Sequence, residues 1–506
     1  MPIPHMPARR IAIVGAGFTG SMLAAHLLRC ADTPTSITLI ERAPTPGVGL
    51  AYSTPSSAHL LNVRAYNMSA FPDDPKHFLR WLWAHDEDST VPPSGHAFVS
   101  RAVYGAYVRD VLAQAEAAAP PHVTLRILQG EAVRVAEGGD GVRLRLSNGM
   151  AVAADALALC VGHFPPAPPA VAAEGVADSP RFIGDPWDHA AVAAIDPEAT
   201  VLVLGTGLTM VDTVLTLENQ GHRGRIVAVS RRGLLPHRHE ETRPFKSFLC
   251  PDVMPRTVLD VLIALKADVR RAAAEGLDWR SAFDALRPYH HRIWQFLPPE
   301  ERRRFLRHAR PFWEIHRHRV APEVAWRIDA ARRKGRLEVR AGRLRALDLT
   351  DDGIEALVEA PPSRLRGLTV APEEIVAVQG RGLAWRVRAG AVINAAGPAC
   401  DYSRVRHPLV RSLLDQGLAR PDALRLGLDV TEDGAVIDAR GSASERLFAF
   451  GPVAKAPFWE MTAVPELRSQ CARAAQRLAQ APLPTRSLTA PGRPRRSPGA
   501  GSARVG

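Results

Sequence analysis

The sequence contains few cysteines, and none of them lie close together. Its 506 residues include five cysteines, and no pair has the C-x-x-C or C-x-x-x-x-C spacing of a redox motif. This scatter argues against structural disulfides and indicates a reducing, cytoplasmic environment. It also argues against the reductases that depend on a neighbouring cysteine pair.

Long apolar runs are absent as well. No stretch reaches the roughly 20 apolar residues that a transmembrane helix needs. The N-terminal MPIPHMPARR lacks the apolar core of a signal peptide. We therefore expect no membrane partner, and a chain of this length has room for two or three domains.

The net charge of +12 comes partly from the C-terminal segment 482–506, which holds five arginines and no acidic residue. This segment is rich in Pro, Gly and Ser, and we expect it to be disordered. Removing its five charges from +12 leaves +7 on the rest. We find no basic motif interleaved with aromatics, so no nucleic-acid partner is expected, and the excess charge favours small anionic ligands.

A buried strand, a glycine-rich turn and a helix are predicted near the N-terminus. The apolar run 11–14 leads directly into Gly15, Gly17 and Gly20. This G-x-G-x-x-G spacing is typical of a dinucleotide site. The glycines provide a tight turn, a close approach for the pyrophosphate and close packing of helix on strand.

An acidic residue and two further glycines support the same site. The next apolar strand ends at Glu41, where a carboxylate can accept hydrogen bonds from the ribose hydroxyls. Gly47 and Gly49 follow, and their bare backbone can run close to the same nucleotide.

A second glycine motif begins after the apolar strand at 201–204. Gly205 and Gly207 match the pattern, with Met210 at the third position, and the following strand ends in Arg231 and a second arginine. An arginine there can pair with a 2′-phosphate, which favours NADPH, while NADH stays open. Two sites imply two nucleotides, most simply FAD at the first and NADH or NADPH at the second.

Two β-meanders, in 122–163 and 336–398, each end on an apolar strand followed by a glycine, and we expect the chain to cross between domains there. The predicted fold class is α/β, with two Rossmann-type domains linked by the meanders and a largely helical insertion at about 252–335. The predicted domains are the first part of the FAD domain (1–195), the NAD(P)H domain (196–390), the closing part of the FAD domain (391–481) and the tail (482–506).

A late strand, turn and helix should return the chain to the first domain. The apolar run 446–450 leads to Gly451, and a helix is predicted after Pro465. The positive end of that helix would point at the electron-rich edge of a flavin.

Six segments together carry a family resemblance: IAIVGAGFTGSMLAAHLL, GVGLAYSTPSSAHLLNVRAYNMSAFPDDPKHFLRWL, VLVLGTGLTMVD, RPFWEIHRHRVAPEVA, VINAAGP and WEMTAVPELR. The chain resembles the bacterial FAD/NAD(P)-binding oxidoreductases over nearly everything except the tail. Within that family it is most similar to FAD-dependent urate hydroxylases of purine degradation, which convert urate, NADH and oxygen to 5-hydroxyisourate. Amino-acid N-hydroxylases are related.

The resemblance implies roles at matching positions. FAD would be held by Gly15, Gly17, Gly20, Glu41, Gly49, Asn62, Met68, Val133 and Gly451, and the nicotinamide nucleotide by Gly205, Gly207 and Arg231. Asn62 and Met68 could equally be packed loop residues. The urate enzymes use NADH, whereas Arg231 favours NADPH.

The function expected from these features is an FAD-dependent monooxygenase that uses NAD(P)H and molecular oxygen to hydroxylate a small electron-rich, anionic substrate, with urate preferred. The alternatives are N-hydroxylation of an amine or amino acid, and electron transfer without oxygenation. A flavin-binding regulator without turnover is a further alternative.

The helical insertion supplies the candidate catalytic residues. Arg310, His316 and Arg319, with His318 beside them, could hold a substrate anion near the flavin, or could form a solvated basic helix face. No cysteine or carboxylate stands at metal-ligand spacing around the two histidines, so no metal is expected.

Overall fold

The computed structural model describes residues 8–85, 94–247, 249, 254–360, 371–376 and 383–480. The predicted tail lies outside the described residues. The strands are β1 (Arg9–Val14), β2 (Thr35–Glu41), β3 (Val123–Gln129), β4 (Ala132–Gly138), β5 (Gly141–Leu146), β6 (Ala151–Ala154), β7 (Ala156–Leu159), β8 (Phe182–Ile183), β9 (Val201–Leu204), β10 (Ile226–Ser230), β11 (Leu337–Ala341), β12 (Arg343–Leu349), β13 (Ile354–Ala360), β14 (Ile375–Val376), β15 (Leu383–Ala389), β16 (Ala391–Asn394), β17 (Ala435–Ile437) and β18 (Ala443–Ala449).

The helices alternate with these strands in the two dinucleotide-binding regions. They are α1 (Phe18–Cys30), α2 (Gly49–Tyr52), α3 (His77–Ala84), α4 (Arg101–Ala117), α5 (His189–Ala193), α6 (Leu208–Asn219), α7 (Val258–Ala274), α8 (Trp279–Asp284), α9 (His290–Phe296), α10 (Pro299–Arg304), α11 (Arg310–Arg317), α12 (Pro322–Arg333), α13 (Pro408–Asp415) and α14 (Val464–Gln480).

The first sheet has the order β17-β18-β7-β1-β2-β3, and only β17 runs antiparallel to its neighbour. The side chains of successive residues of β1 pack into two different hydrophobic cores, one on each face of the sheet. Ile11 and Ile13 pack with α1, α4 and α14, whereas Ala12 and Val14 pack with the meander β4–β6 and with α13. Because both faces of the sheet are covered, its central strands are apolar over 11–14 in β1 and 156–159 in β7.

The second sheet has the order β11-β10-β9-β16-β8 and is entirely parallel. Val201 and Val203 of β9 pack with α6 and α12 on one face. Leu202 and Leu204 pack on the other face with the meander β12–β15, where Trp385 is fully buried. The predicted α/β fold with two parallel sheets is therefore confirmed.

Several boundaries differ from the sequence prediction. Segment 391–394 forms β16 inside the second sheet rather than opening the closing part of the FAD domain, and 182–183 also joins the second sheet as β8. Segment 322–333 forms α12, which packs on the second sheet and is not part of the insertion. The first strand assigned to each meander instead extends a parallel sheet, as β3 and as β11. Local alternation cannot identify which sheet edge a strand joins.

The two segments that were predicted to cross between the domains lie next to each other. Phe164, after β7, forms an antiparallel bridge with Ala399, after β16. Gly162 and Gly397, which precede these residues, have φ of +67° and +94°, a left-handed conformation that favours glycine. The chain therefore passes between the two sheets at one place.

Among the described residues, no helix combines the length and apolar character needed to cross a bilayer. The described cysteines, Cys30, Cys160, Cys400 and Cys471, form no disulfide with one another.

Candidate active site

The first glycine loop links β1 to α1 and packs against the end of β7. Gly15 has φ of +97°, and a Cβ there would lie 2.3 Å from the carbonyl oxygen of Cys160. A Cβ on Gly20 would lie 1.8 Å from the carbonyl oxygen of Gly15. Neither position has room for a side chain, because strand, turn and helix are in direct contact.

The N-terminus of α1 is open at Gly17. No side chain caps the helix, and the nearest neighbour of a Cβ on Gly17 would be the Cα of Gly49, at 3.5 Å. Gly49 has φ of +51°, and its own Cβ would come within 2.8 Å of the Cα of Gly17. The N–H of Gly47 donates to the carbonyl of Ala16 at 2.7 Å and ties the two glycine stretches together. This bare cradle at a helix N-terminus fits a pyrophosphate.

Glu41 lies at the end of β2, beside this loop. Its Oε2 accepts a hydrogen bond from the backbone N–H of Ala16 at 2.7 Å, and its Oε1 accepts one from that of Ala43 at 2.9 Å. Each carboxylate oxygen can accept more than one hydrogen bond, so the group can also receive the ribose hydroxyls. The backbone contacts hold it in place for that role.

The other residues predicted to contact FAD differ in their burial and in their location. A Cβ on Gly451 would lie 2.7 Å from the hydroxyl of Thr19 in α1, so the closing segment reaches the first glycine loop. Met68 is 2% exposed and belongs to the core. Asn62 is partly buried, and Val133 is a partly buried residue of β4. The packing of Met68 agrees with the structural alternative for that residue, and the flavin contacts of these residues remain predictions.

The second glycine loop repeats the first. Gly205 has φ of +117°, and its Cβ would lie 2.3 Å from the carbonyl oxygen of Ala395. Gly207 precedes α6, which has no side-chain cap, and a Cβ on Gly207 would meet nothing within 4 Å. Met210, at the third position, is fully buried. The N-terminus of α6 therefore has open space for a phosphate group.

Arg231 follows β10, next to this second loop. Its side chain is exposed and makes no hydrogen bond or ion pair with the described residues. The neighbouring Arg232 instead lies over the ring of Phe312, 5.4 Å from the centroid. Arg231 is therefore the arginine of the pair that is available to a 2′-phosphate.

The candidate residues of the insertion do not form one group. Arg310 donates to Glu314 at 2.7 Å and lies 5.8 Å from the ring centroid of Trp459, in the closing segment. His316 instead packs among other rings, 4.6 Å from His237 and 4.8 Å from Trp279.

Arg319 is 2% exposed and pairs with Asp284, and burial lowers the pKa of its guanidinium. Because it is enclosed rather than solvent-facing, it differs from the basic helix face considered from the sequence. Of the three candidates, Arg310 is the one in contact with the closing segment.

A buried carboxylate, Glu460, joins the insertion to the closing segment. Trp313 donates to it at 2.7 Å, Arg317 donates at 2.9 Å, and His290 lies 3.5 Å away. Burial alone would raise the pKa of Glu460, but the charge of Arg317, with His290 and His318, holds it well below its usual range. No role for Glu460 was predicted from the sequence. The available signal was an acid among the mostly apolar residues of 456–465.

No role was predicted from the sequence for Lys455 either. It lies in the same closing segment, with Nζ 4.8 Å from the ring centroid of Trp459. Burial lowers the pKa of its ammonium group. Burial, together with the charge of Lys455, lowers the pKa of His163 at the first crossing to about 4. Ala454, next to Lys455, belongs to the same apolar cluster as Val161 and Phe164, which lie on either side of His163 in the chain. The cation of the closing segment and the imidazole of the crossing therefore lie in one region.

Within the described ranges, no group of three or more His, Cys, Asp or Glu side chains could hold a metal ion.

Comparison with known proteins agrees with this geometry. Residues 12–164 match a family model described as FAD-NAD(P)-binding. The L-aspartate N-monooxygenase (nitrosuccinate-forming) of Streptomyces cremeus is 26% identical, and the match covers 90% of this chain and 91% of that protein.

Solved structures show the same fold. The reduced form of ornithine hydroxylase from Pseudomonas aeruginosa superimposes with a TM-score of 0.62 at 14% identity, covering 94% of this chain and all of that one. L-lysine 6-monooxygenase from Pseudomonas syringae gives a TM-score of 0.60 at 16% identity, with the same coverage. The predicted FAD and NAD(P)H cofactors are confirmed, whereas a likeness to urate hydroxylases is not among these findings.

Proposed function

We propose that this FAD- and NAD(P)-binding oxidoreductase is a monooxygenase that hydroxylates the nitrogen of a small amine or amino acid. The observation that carries the proposal is the match to the L-aspartate N-monooxygenase, which extends over nine-tenths of both chains. A match of that extent is longer than the part of the chain covered by the FAD-NAD(P)-binding family model, residues 12–164.

Two different sets of residues would bind the two nucleotides. Gly17, Gly49 and Glu41 would hold the adenosine diphosphate of FAD, and Gly207 with Arg231 would hold the nicotinamide nucleotide. A bound flavin, once reduced, supplies the activation of molecular oxygen, so the protein's own contribution is positioning and the exclusion of water.

Aromatic residues would exclude water beside the closing segment. Trp459 stacks on Trp294 with centroids 5.0 Å apart, and Phe305 meets Trp459 edge-on at the same distance. The indole of Trp294 also donates to the carbonyl of Ala456 at 2.7 Å. Trp294 and Phe305 belong to the insertion, so the insertion supplies this wall.

An amine must lose its proton before its nitrogen can be hydroxylated, because an ammonium group has no lone pair. Of the groups in this region, His163 is neutral at pH 7 and can accept a hydrogen bond from an amine. We assign it the role of orienting the free amine.

Urate, preferred from the sequence, stays a prediction without support from a relative. It is an electron-rich anion and would also suit a cationic pocket, so it belongs in the same assay. Electron transfer without oxygenation and a flavin-binding regulator without turnover are the remaining alternatives.

The test is oxidation of NADPH and of NADH by the purified FAD-loaded protein, with L-aspartate, L-ornithine, L-lysine, putrescine or urate. Product analysis under isotope-labelled oxygen accompanies the rates. We expect one or more nitrogen compounds to accelerate oxidation and to gain one labelled oxygen atom on nitrogen.

Labelled oxygen in a urate product, with no nitrogen compound hydroxylated, would replace the proposal with urate hydroxylation. Oxidation that yields only hydrogen peroxide or a reduced acceptor, whatever is added, would reject oxygenation altogether.

A further inference from the structure

We infer that Lys455 is the residue that binds the carboxylate of the substrate and so selects amino acids over simple amines. The inference rests on the proposed function, because it concerns the substrate of that same site. It starts from a cation that has no anionic partner among the described residues.

Lys455 has neither a hydrogen-bond acceptor nor an ion-pair partner in the part of the chain that the structure describes. It is one of only five lysines among 64 basic residues. Lys455 is partly buried, and burial lowers the pKa of its ammonium group, because withdrawing a cation from water without an anion beside it is unfavourable.

Two carboxylates favour the charged form of Lys455, but both are paired with other groups. Glu314 accepts from Arg310 at 2.7 Å, and Glu460 accepts from Trp313 and Arg317. The charged and titratable groups that act on Lys455 come from several elements, and are Cys400, Arg310, Glu314, Glu460 and His163.

A second donor in the same place also lacks an acceptor. Nε1 of Trp459 is buried without a hydrogen-bond partner, and the centroid of this ring is 4.8 Å from Nζ of Lys455. Trp459 has φ of +61°, an unusual conformation for a bulky residue. An anion with two oxygens would satisfy both donors, and a carboxylate provides them.

The position of Lys455 favours a substrate carboxylate over a nucleotide phosphate. The openings suited to phosphates lie at Gly17 and Gly207, at the two helix N-termini. Ala454, the neighbour of Lys455, instead packs in one apolar cluster with Phe164 of the first crossing and Ala399 of the second. This is the junction between the two nucleotide sites, where a substrate must meet the flavin.

The test compares each amino acid with its decarboxylated amine in wild type, Lys455→Met and Lys455→Arg. Lys334→Met, at an exposed position after α12, is the matched control. The probe pairs are L-ornithine with putrescine, L-lysine with cadaverine, and L-aspartate with ethylamine, which lacks both carboxylates. FAD content and circular dichroism establish that each variant is folded.

For whichever amino acid the wild type hydroxylates, Lys455→Met should raise KM about 10- to 100-fold, as expected for the loss of a charge-assisted hydrogen bond. The change in kcat should be smaller, KM for the amine should change little, and Lys455→Arg should recover part of the loss.

An equal rise of KM for acid and amine would overturn the inference, because Lys455 would then act on the flavin or on the fold. Equal use of acid and amine by the wild type would overturn it as well. If no nitrogen compound is hydroxylated, the proposed function fails separately. Titration of FAD-loaded protein with L-aspartate then decides: binding that is lost in Lys455→Met supports the assignment, and absent or unaltered binding rejects it.

Discussion

Replacing Glu460 with glutamine should loosen the helical insertion from the closing segment of the FAD domain. Glutamine keeps the shape and can still accept a hydrogen bond from Trp313, but it removes the charge that neutralises Arg317. The side chains of Glu460 and Arg317 are 3% and 12% exposed, so the guanidinium would be left buried without its carboxylate. Removing one partner of a buried ion pair lowers the free energy of unfolding by about 3–5 kcal/mol. Because the hydrogen bond from Trp313 is retained, we expect a loss near the lower end of that range.

The assay is hydrogen exchange of α9, α10 and α11, together with urea unfolding followed by circular dichroism. A loss of about 3 kcal/mol corresponds to exchange that is about 100-fold faster in the helices held by the pair. The control is Glu198→Gln, whose carboxylate is 63% exposed and pairs with Arg223 on the surface, where about 0.5 kcal/mol or less is expected.

The effect should also depend on pH in a defined direction. The pKa of Glu460 is lowered in the folded protein, so its stabilisation is complete above the ordinary carboxyl pKa and is lost as the pH falls. The stability difference between wild type and variant should therefore narrow from about pH 5 downward. If the difference stays the same at pH 7 and pH 4, or if exchange in the helices does not change, the reasoning about this pair is wrong.

Four further predictions follow from the site. Gly49→Val should abolish FAD binding, because its Cβ would clash with the Cα of Gly17; flavin absorbance after purification measures this, and full FAD content would contradict it. Gly207→Val should leave FAD content unchanged but raise KM for NADPH and NADH alike, since the added side chain fills open space at the N-terminus of α6; an unchanged KM would count against a nucleotide there. Arg231→Ala should raise KM for NADPH about 10-fold or more and leave KM for NADH nearly unchanged. A parallel change in both KM values would contradict a contact between Arg231 and the 2′-phosphate. Succinate, which has no amine to titrate, should bind more weakly as the pH rises through the lowered pKa of Lys455; equilibrium titration checks this, and an affinity independent of pH up to the ordinary lysine range would contradict it.

The parts that could be predicted from sequence are those in which local chemistry fixes local structure. Gly15 and Gly205 have positive φ where the motif requires a tight turn, and Glu41 lies at the strand end where the carboxylate was expected. The short apolar runs beside these glycines identified the central parallel strands, because an apolar run of strand length is itself a local feature of the sequence. The cofactor class could be predicted as well, because the local glycine motif is itself typical of dinucleotide sites.

The candidate catalytic residues were harder to predict, because their roles depend on contacts between distant segments. Arg310, His316 and Arg319 lie within ten residues of one another, yet one contacts the closing segment, one packs among rings and one is enclosed against Asp284. Helical spacing alone does not show which neighbour each turn of the insertion will meet.

The sequence by itself therefore determined the two glycine loops, the acidic strand end and the α/β class, since each depends on residues close together in the chain. Only the tertiary structure decided that β16 lies in the second sheet, that Glu460 pairs with Arg317 across 143 residues, and that Lys455 has no ion-pair partner in the described part of the chain. The physical reason is that burial and charge pairing are properties of the packed chain. A buried charge is satisfied, or left unsatisfied, only when distant segments come together.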